Sequence, residues 1–196
     1  MQERSPIVIL NGIGSVGKST LARALQAITS RPFLRVATDA FPDMLPETML
    51  AHPDGLMFET SHDFGKLVTT VRIGQCLRVP CAACSTPSLP WPQGNNPILD
   101  EVMIGAGKAQ AYRELLHGCE FYLVGLVAPP DVLEARERAS GNRQIGLARG
   151  HYGLVHRSIT YDLQIDTAAA TPAEPLGRSA TCSGFDDRSA PHLPSP

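Results

Sequence analysis

The sequence predicts an α/β fold in which a parallel sheet of about five strands is flanked by helices. Three observations carry this. Short apolar, β-branched runs recur along the chain, amphipathic helical runs alternate with them, and the first run enters its helix through the glycine-rich stretch NGIGSVGKST, Asn11 to Thr20. With 196 residues, 43% of them hydrophobic and 18% charged, the chain has the length for one domain with a sizeable core.

The elements follow in order. Pro6 to Leu10 (PIVIL) reads as a buried strand, bounded by a glycine-containing turn. Leu21, Ala24, Leu25 and Ile28 then recur at helical spacing and give the first helix one apolar face. FLRVATD (Phe33 to Asp39) is expected as the second strand, ILDEVMI (Ile98 to Ile104) as the third, EFYLVGLVA (Glu120 to Ala128) as the fourth and YDLQID (Tyr161 to Asp166) as the fifth. Helices are expected over GKAQAYRELLHG and PPDVLEARERASG; the second starts with Pro130 in its first turn and stops at Gly141.

Two segments fall outside this alternation. Cys76 to Pro97 contains five prolines and a single charged residue, Arg78, and is expected to be irregular. Ala168 to Pro196 carries five further prolines without apolar periodicity and is expected to be a disordered tail, leaving 1–167 as the folded domain. The five cysteines supply one CxxC, Cys81 and Cys84, and no second pair, so reduced thiols without a metal role are expected. His151 and His156, five apart, do not share a helix face well.

Charge and composition exclude several classes of partner. Seventeen Lys and Arg stand against nineteen Asp and Glu, no basic block is present and aromatic residues make up 6%, so nucleic acid is not an expected partner. No apolar run reaches the roughly 18 residues of a membrane span and the start lacks a secretory pattern; a soluble cytoplasmic protein is expected.

The chemistry concentrates at Asn11 to Thr20. Gly12-x-x-x-x-Gly17-Lys18-Ser19, set between a strand and an amphipathic helix, has the spacing of a phosphate-binding P-loop. The backbone of Gly12, Ile13, Gly14, Ser15, Val16, Gly17 and Thr20 is expected to cradle a nucleoside triphosphate, with Lys18 on the β and γ phosphates and Ser19 offering its hydroxyl to Mg²⁺. A carboxylate at the end of another strand is needed for the ion. ILDE offers Asp100 first and Glu101 second, and either also fits a plain strand-end role. Asp39, closing the second strand, emerges at the same sheet edge, where a general base for an attacking hydroxyl would stand; an N-cap of the next segment fits it as well. Arg136, Arg138, Arg143 and Arg149 surround a glycine break between two helical segments. Arg136 and Arg143 are the candidates for a lid over the transferring phosphoryl group, while pairing of Arg136 and Arg138 with Glu134 and Glu137 on a solvated face is the alternative.

On these stretches the chain resembles the chloramphenicol phosphotransferase family of small P-loop kinases. The resemblance runs through IVILNGIGSVGKST, VATDAFPDMLP, ILDEVMI, YRELL, VGLVAPPDVLEARERASGNRQIGLARGHYGLVH and YDLQIDT, in the family's order over much of residues 6–167. It implies a P-loop kinase fold with an arginine-bearing lid, ATP and Mg²⁺ as cofactors, a small-molecule hydroxyl as acceptor, and Asp39 in the position of the family's general base. The implied reaction is transfer of the γ-phosphoryl group to the 3-hydroxyl of chloramphenicol, which inactivates the drug. Other readings are a catalytically impaired nucleotide-binding paralogue, or a kinase for another acceptor such as a peptidoglycan precursor. The sequence departs from the family at QCLRVPCAACSTPSLPWPQG, where relatives carry a continuous helix that Pro80, Pro87, Pro90 and Pro92 forbid. A shifted reading frame over this segment, and over the tail, is the expectation that coding DNA would test.

Overall fold

The computed structural model describes residues 6–40, 42–75, 96–141 and 143–169. Five strands form one parallel sheet: β1 (Ile7–Asn11), β2 (Phe33–Ala37), β5 (Asn96–Glu101), β6 (Phe121–Val127) and β7 (Leu163–Asp166), in the order β2-β5-β1-β6-β7. All four pairings are parallel, with Leu10 opposite Asp100 and Val124, and Ala37 opposite Asp100. The C-terminal ends of β1, β2 and β5 therefore share one edge, where open parallel sheets bind ligands.

Both faces of the sheet are covered, which is why its central strands read as unbroken apolar runs rather than alternating ones. On one face Leu10, Ile98, Val124 and Leu126 pack with Ala22 of α1 (Lys18–Ile28) and Leu133 of α3 (Pro130–Ser140). On the other, Ile7, Ile9, Leu99 and Leu123 pack with Ala109, Tyr112 and Leu116 in and just after α2 (Ala106–Leu115). Successive strand residues point to opposite sides, so Ile9 and Leu10 fill different cores. Pro130 opens α3 and Gly141, in the left-handed conformation at φ 68°, closes it.

Several boundaries differ from the sequence expectation. The second strand ends at Ala37, and Asp39 lies in the short 3₁₀ turn Thr38–Ala40 rather than on the strand. The third expected strand begins at Asn96 and ends at Glu101, so Asn96 and Pro97 are ladder residues and not part of an irregular segment. Pro97 fits there because it stands at the start of β5, before the ladder to β1 begins at Ile98 opposite Val8, so no N–H is missed on that side. Residues 76–95, with Cys81 and Cys84, lie outside the described residues, as does the tail from 170 onward.

One unit was not anticipated. β3 (Leu56–Asp63) and β4 (Lys66–Ile73) form an antiparallel hairpin apart from the main sheet, closed by Phe64 and Gly65 at φ 46° and 75°. It packs against the short helix α4 (Leu147–His151). The Thr69 N–H donates to Gly146 O at 3.0 Å and Thr69 Oγ1 to Ile145 O at 2.8 Å. A Cβ on Gly150 would lie 2.0 Å from the Thr69 carbonyl, so this close approach requires glycine. Among the described residues no helix is long and apolar enough to cross a membrane.

Candidate active site

The loop between β1 and α1 is shaped by its glycines. A Cβ on Gly12 would stand 2.7 Å from Val16 Cγ1 and 2.8 Å from Leu126 O, while Gly17 caps α1 at φ 105°. Asn11 supports the loop from below: its Nδ2 donates to Val155 O (3.1 Å) and the Tyr161 hydroxyl (2.7 Å), and its Oδ1 accepts from the Met103 N–H (2.7 Å). Tyr161 OH lies 2.8 Å from His156 Nδ1, which extends the network to the segment after α4. Burial pushes the His156 imidazole below its ordinary pKa and the Tyr161 phenol above its own.

Lys18 is buried inside the loop it belongs to. Its Nζ donates to Gly12 O at 2.7 Å and Ile13 O at 3.2 Å, with Asp100 Oδ1 3.7 Å away. Burial lowers the ammonium pKa, and the carboxylates of Asp100 and Asp39 oppose that shift.

Strand alternation separates the two candidate carboxylates. Asp100 faces the loop: Ser19 Oγ donates to its Oδ2 at 3.3 Å, and Arg35 on β2 places Nη2 2.6 Å and Nε 3.1 Å from the same oxygen. Arg35 Nη2 also donates to Ser19 Oγ at 2.7 Å. Glu101 points to the opposite face, where Lys108 Nζ (2.6 Å), Thr38 Oγ1 (3.3 Å) and Tyr112 OH surround it.

Asp39 and Arg143 close the cleft. Arg143 Nη2 lies 3.5 Å from Asp39 Oδ2, and its Nη1 lies 3.2 Å from where a Cβ on Gly14 would be. The following turn starts at Pro42, so Asp39 is not at its N-cap position. A cavity of about 220 Å³ is lined by Gly17, Lys18, Ser19, Asp39, Asp100 and Arg143, together with Ser15, Thr20, Arg136 and Ser140.

The expected arginines divide by role. Arg143 faces the cleft. Arg136 lines it too, but its guanidinium is engaged by Thr167 Oγ1 (3.0 Å) and Thr167 O (2.8 Å), and reaches Val16 O at 3.5 Å, so it ties the loop to the end of β7. Arg149 pairs with Glu134, which also faces Lys66 at 3.6 Å. The alternative pairing of Arg136 and Arg138 with Glu134 and Glu137 is not the one formed. Glu137 is buried and accepts the Gly146 and Ala148 N–H groups, both at 2.8 Å, at the start of α4. Sequence reasoning missed Arg35, Glu137 and Thr167; only Arg35 left a signal, as a charge in the middle of the strand FLRVA.

A P-loop between β1 and α1 of a five-stranded parallel sheet, with a carboxylate of the neighbouring strand against its serine, defines a P-loop fold, and the relatives make its class that of a kinase-like O-phosphotransferase. The model of the chloramphenicol phosphotransferase-like protein family matches residues 5–178, and the chain belongs to that family. It is 26% identical over 178 residues to a protein of Mycobacterium tuberculosis (strain ATCC 25618 / H37Rv) named "Putative O-phosphotransferase", spanning 88% of this chain and 79% of that one. Among solved structures it is similar to a gluconokinase from Sinorhizobium meliloti 1021 (TM-score 0.56, 17% identity, 90% of this chain and 89% of that one). It is also similar to the APS kinase of M. tuberculosis in complex with AMPPNP and APS (TM-score 0.54, 15% identity, 86% and 91%). At such identities the structural likeness speaks for the fold.

Proposed function

We propose that the chain is an ATP-dependent kinase that phosphorylates a hydroxyl of a small molecule, with the 3-hydroxyl of chloramphenicol as the first acceptor to test. One observation carries this reading: the P-loop lysine, an ionisable carboxylate (Asp39) and a lid-side arginine (Arg143) line the same cleft. Beyond Asp100, which the phosphates' metal ion would use, Asp39 is a second carboxylate in the cleft, and transfer to an alcohol requires such an acceptor for its proton.

In this mechanism the loop amides from Gly12 to Thr20 and Lys18 hold the β and γ phosphates. Asp39 accepts the hydroxyl proton as the acceptor oxygen bonds to the γ phosphorus; the bond to the bridging oxygen breaks and its electron pair leaves with ADP. Arg143 neutralises charge on the transferring group, and Arg136 keeps Val16 and the loop in register with Thr167. Ser19 Oγ and Asp100 Oδ2 are hard oxygen donors of the kind Mg²⁺ takes, and they would hold it here. When bound, that ion offsets negative charge on the phosphates.

The test is mass spectrometry of purified protein incubated with ATP, Mg²⁺ and chloramphenicol, beside a panel of small alcohols. A phosphorylated product that disappears in Asp39→Asn supports the reading. Tight ATP binding with no product from any acceptor would replace it with a catalytically impaired nucleotide-binding protein.

A further inference from the structure

Arg35 belongs to neither the loop nor the lid, yet it makes the closest contacts to the two oxygens assigned above to the ion. Its Nη2 is 2.6 Å from Asp100 Oδ2 and 2.7 Å from Ser19 Oγ, and its Nε is 3.1 Å from the same Asp100 oxygen. Lys18 stands on the other side of that carboxylate, 3.7 Å from Oδ1. Asp100, with a side chain 2% exposed, is thus flanked by cations at both oxygens.

We propose that Arg35 is a built-in competitor for the divalent cation, a guanidinium seated between Ser19 Oγ and Asp100 Oδ2 that must withdraw before a metal–nucleotide complex is fully engaged. The proposal rests on the reading of this cleft as a nucleotide site. Magnesium demands a nearly ideal octahedron of oxygens at about 2.0–2.1 Å and keeps several waters. A guanidinium already bonded to both oxygens fills the directions that shell needs and adds a like charge beside it. The Arg35 side chain is 25% exposed, so it has a solvent side to move to, which the buried Lys18 lacks. Without metal, Arg35 supplies the positive charge that keeps the buried Asp100 paired. The consequence is a nucleotide site whose affinity depends less on divalent metal than a P-loop with a free carboxylate.

The experiment uses the full chain with ADP, so that no turnover occurs, and Mn²⁺ as the metal probe, with free Mn²⁺ read by electron paramagnetic resonance. Arg35→Gln, which removes the charge, is expected to bind Mn²⁺ about tenfold more tightly in the ADP complex than the parent does, the scale of one charge-assisted hydrogen bond given up on entry. Arg35→Lys, which keeps the charge without the fork, is expected to fall between them. A second readout needs no folded variant: the Arg35 Nε–H resonance of the ¹⁵N-arginine-labelled parent is expected to be protected with ADP and EDTA and to exchange with water once Mg²⁺ is added. Unchanged or weaker Mn²⁺ binding in the variants, or an Nε–H that stays protected with Mg²⁺, overturns the role of Arg35 while leaving the nucleotide site standing. Failure of the parent to bind ADP with or without metal overturns the nucleotide reading, and this proposal with it.

Discussion

Arg143 Nη2 lies 3.5 Å from Asp39 Oδ2, an ion pair that joins the segment after α3 to the turn after β2 across the mouth of the cleft. Both side chains are partly exposed, at 34% and 47%, and exposed pairs of this kind contribute about 0–1 kcal/mol to stability. Their value to the fold is therefore small compared with the value proposed for the reaction. Asp39→Asn is expected to lower kcat by roughly 10²- to 10⁴-fold and Arg143→Ala by roughly 10²- to 10³-fold, each with little change in Tm. Steady-state kinetics beside thermal melts check this, and activity lost only in proportion to folded protein would sink it.

Lys18 presents the reverse case, a charge whose burial costs the ligand-free fold. Its ammonium is held on the Gly12 and Ile13 carbonyls, and burial lowers its pKa. Lys18→Met keeps the length and removes the desolvated charge while Asp100 keeps Arg35 as its partner, so Tm without ligand is expected to hold or rise. ADP affinity is expected to fall about 10- to 100-fold, since a charge-assisted bond to phosphate is worth roughly 1.5–3 kcal/mol. Calorimetric titration with ADP measures the loss, and unchanged affinity would exclude Lys18 from phosphate binding.

Glu137 supports the segment around the start of α4 from beneath. Its carboxylate oxygens take the Gly146 and Ala148 N–H groups, which satisfies donors at the start of α4 that have no partner within the helix and fixes the short helix that packs on the hairpin. Glu137→Ala is expected to cost about 1–3 kcal/mol, because two buried amides lose their acceptor, and Glu137→Gln less, since one oxygen remains. Hydrogen exchange over residues 143–151 is expected to accelerate more than exchange in β1 or β6. Uniform acceleration across the protein would contradict a local role.

How far this architecture was legible in the sequence depends on the range of the interaction concerned. β1, α1 and β6 are announced by runs whose neighbours in the chain carry the signal, and Gly12 to Ser19 by a spacing that only a tight loop needs. The hairpin β3–β4 was not read, because one face of it is solvated and Leu56 and Thr69 are its only buried residues. Its stability comes instead from α4, through Thr69, Gly146 and Gly150, and such a partnership has no local pattern. Asp39 was singled out as a candidate by residue type and neighbourhood, although the strand stops two residues before it. Asp100 and Glu101 were left open because choosing between them requires knowing which sheet face α1 covers. Arg35 and Glu137 became functional candidates only when the fold supplied their partners.

His151 and His156 set the expected acid response. Burial lowers the pKa of each; Lys18 adds to the effect at both, while Glu137 opposes it at His151 and a bond to the Leu126 carbonyl opposes it at His156. The folded protein therefore holds both rings neutral at pH values where the unfolded chain, with its ordinary pKa near 6.5, already binds protons. Between the lowered folded values and 6.5 the unfolded state carries more protons, so stability rises with pH there. The contribution is fully present above about 6.5 and is lost as the pH falls through the folded values. The neutral form is also the one that fits the contacts, since the Tyr161 hydroxyl accepts from Asn11 and has its proton free for His156 Nδ1. Urea unfolding from pH 5 to 8 is expected to show a midpoint falling below pH 6.5 in the parent. In His151→Gln/His156→Gln the fall is expected to be shallower, even though the variant starts from a lower plateau for want of the Tyr161 contact. An acid limb equally steep in both proteins would assign the pH dependence to the carboxylates instead.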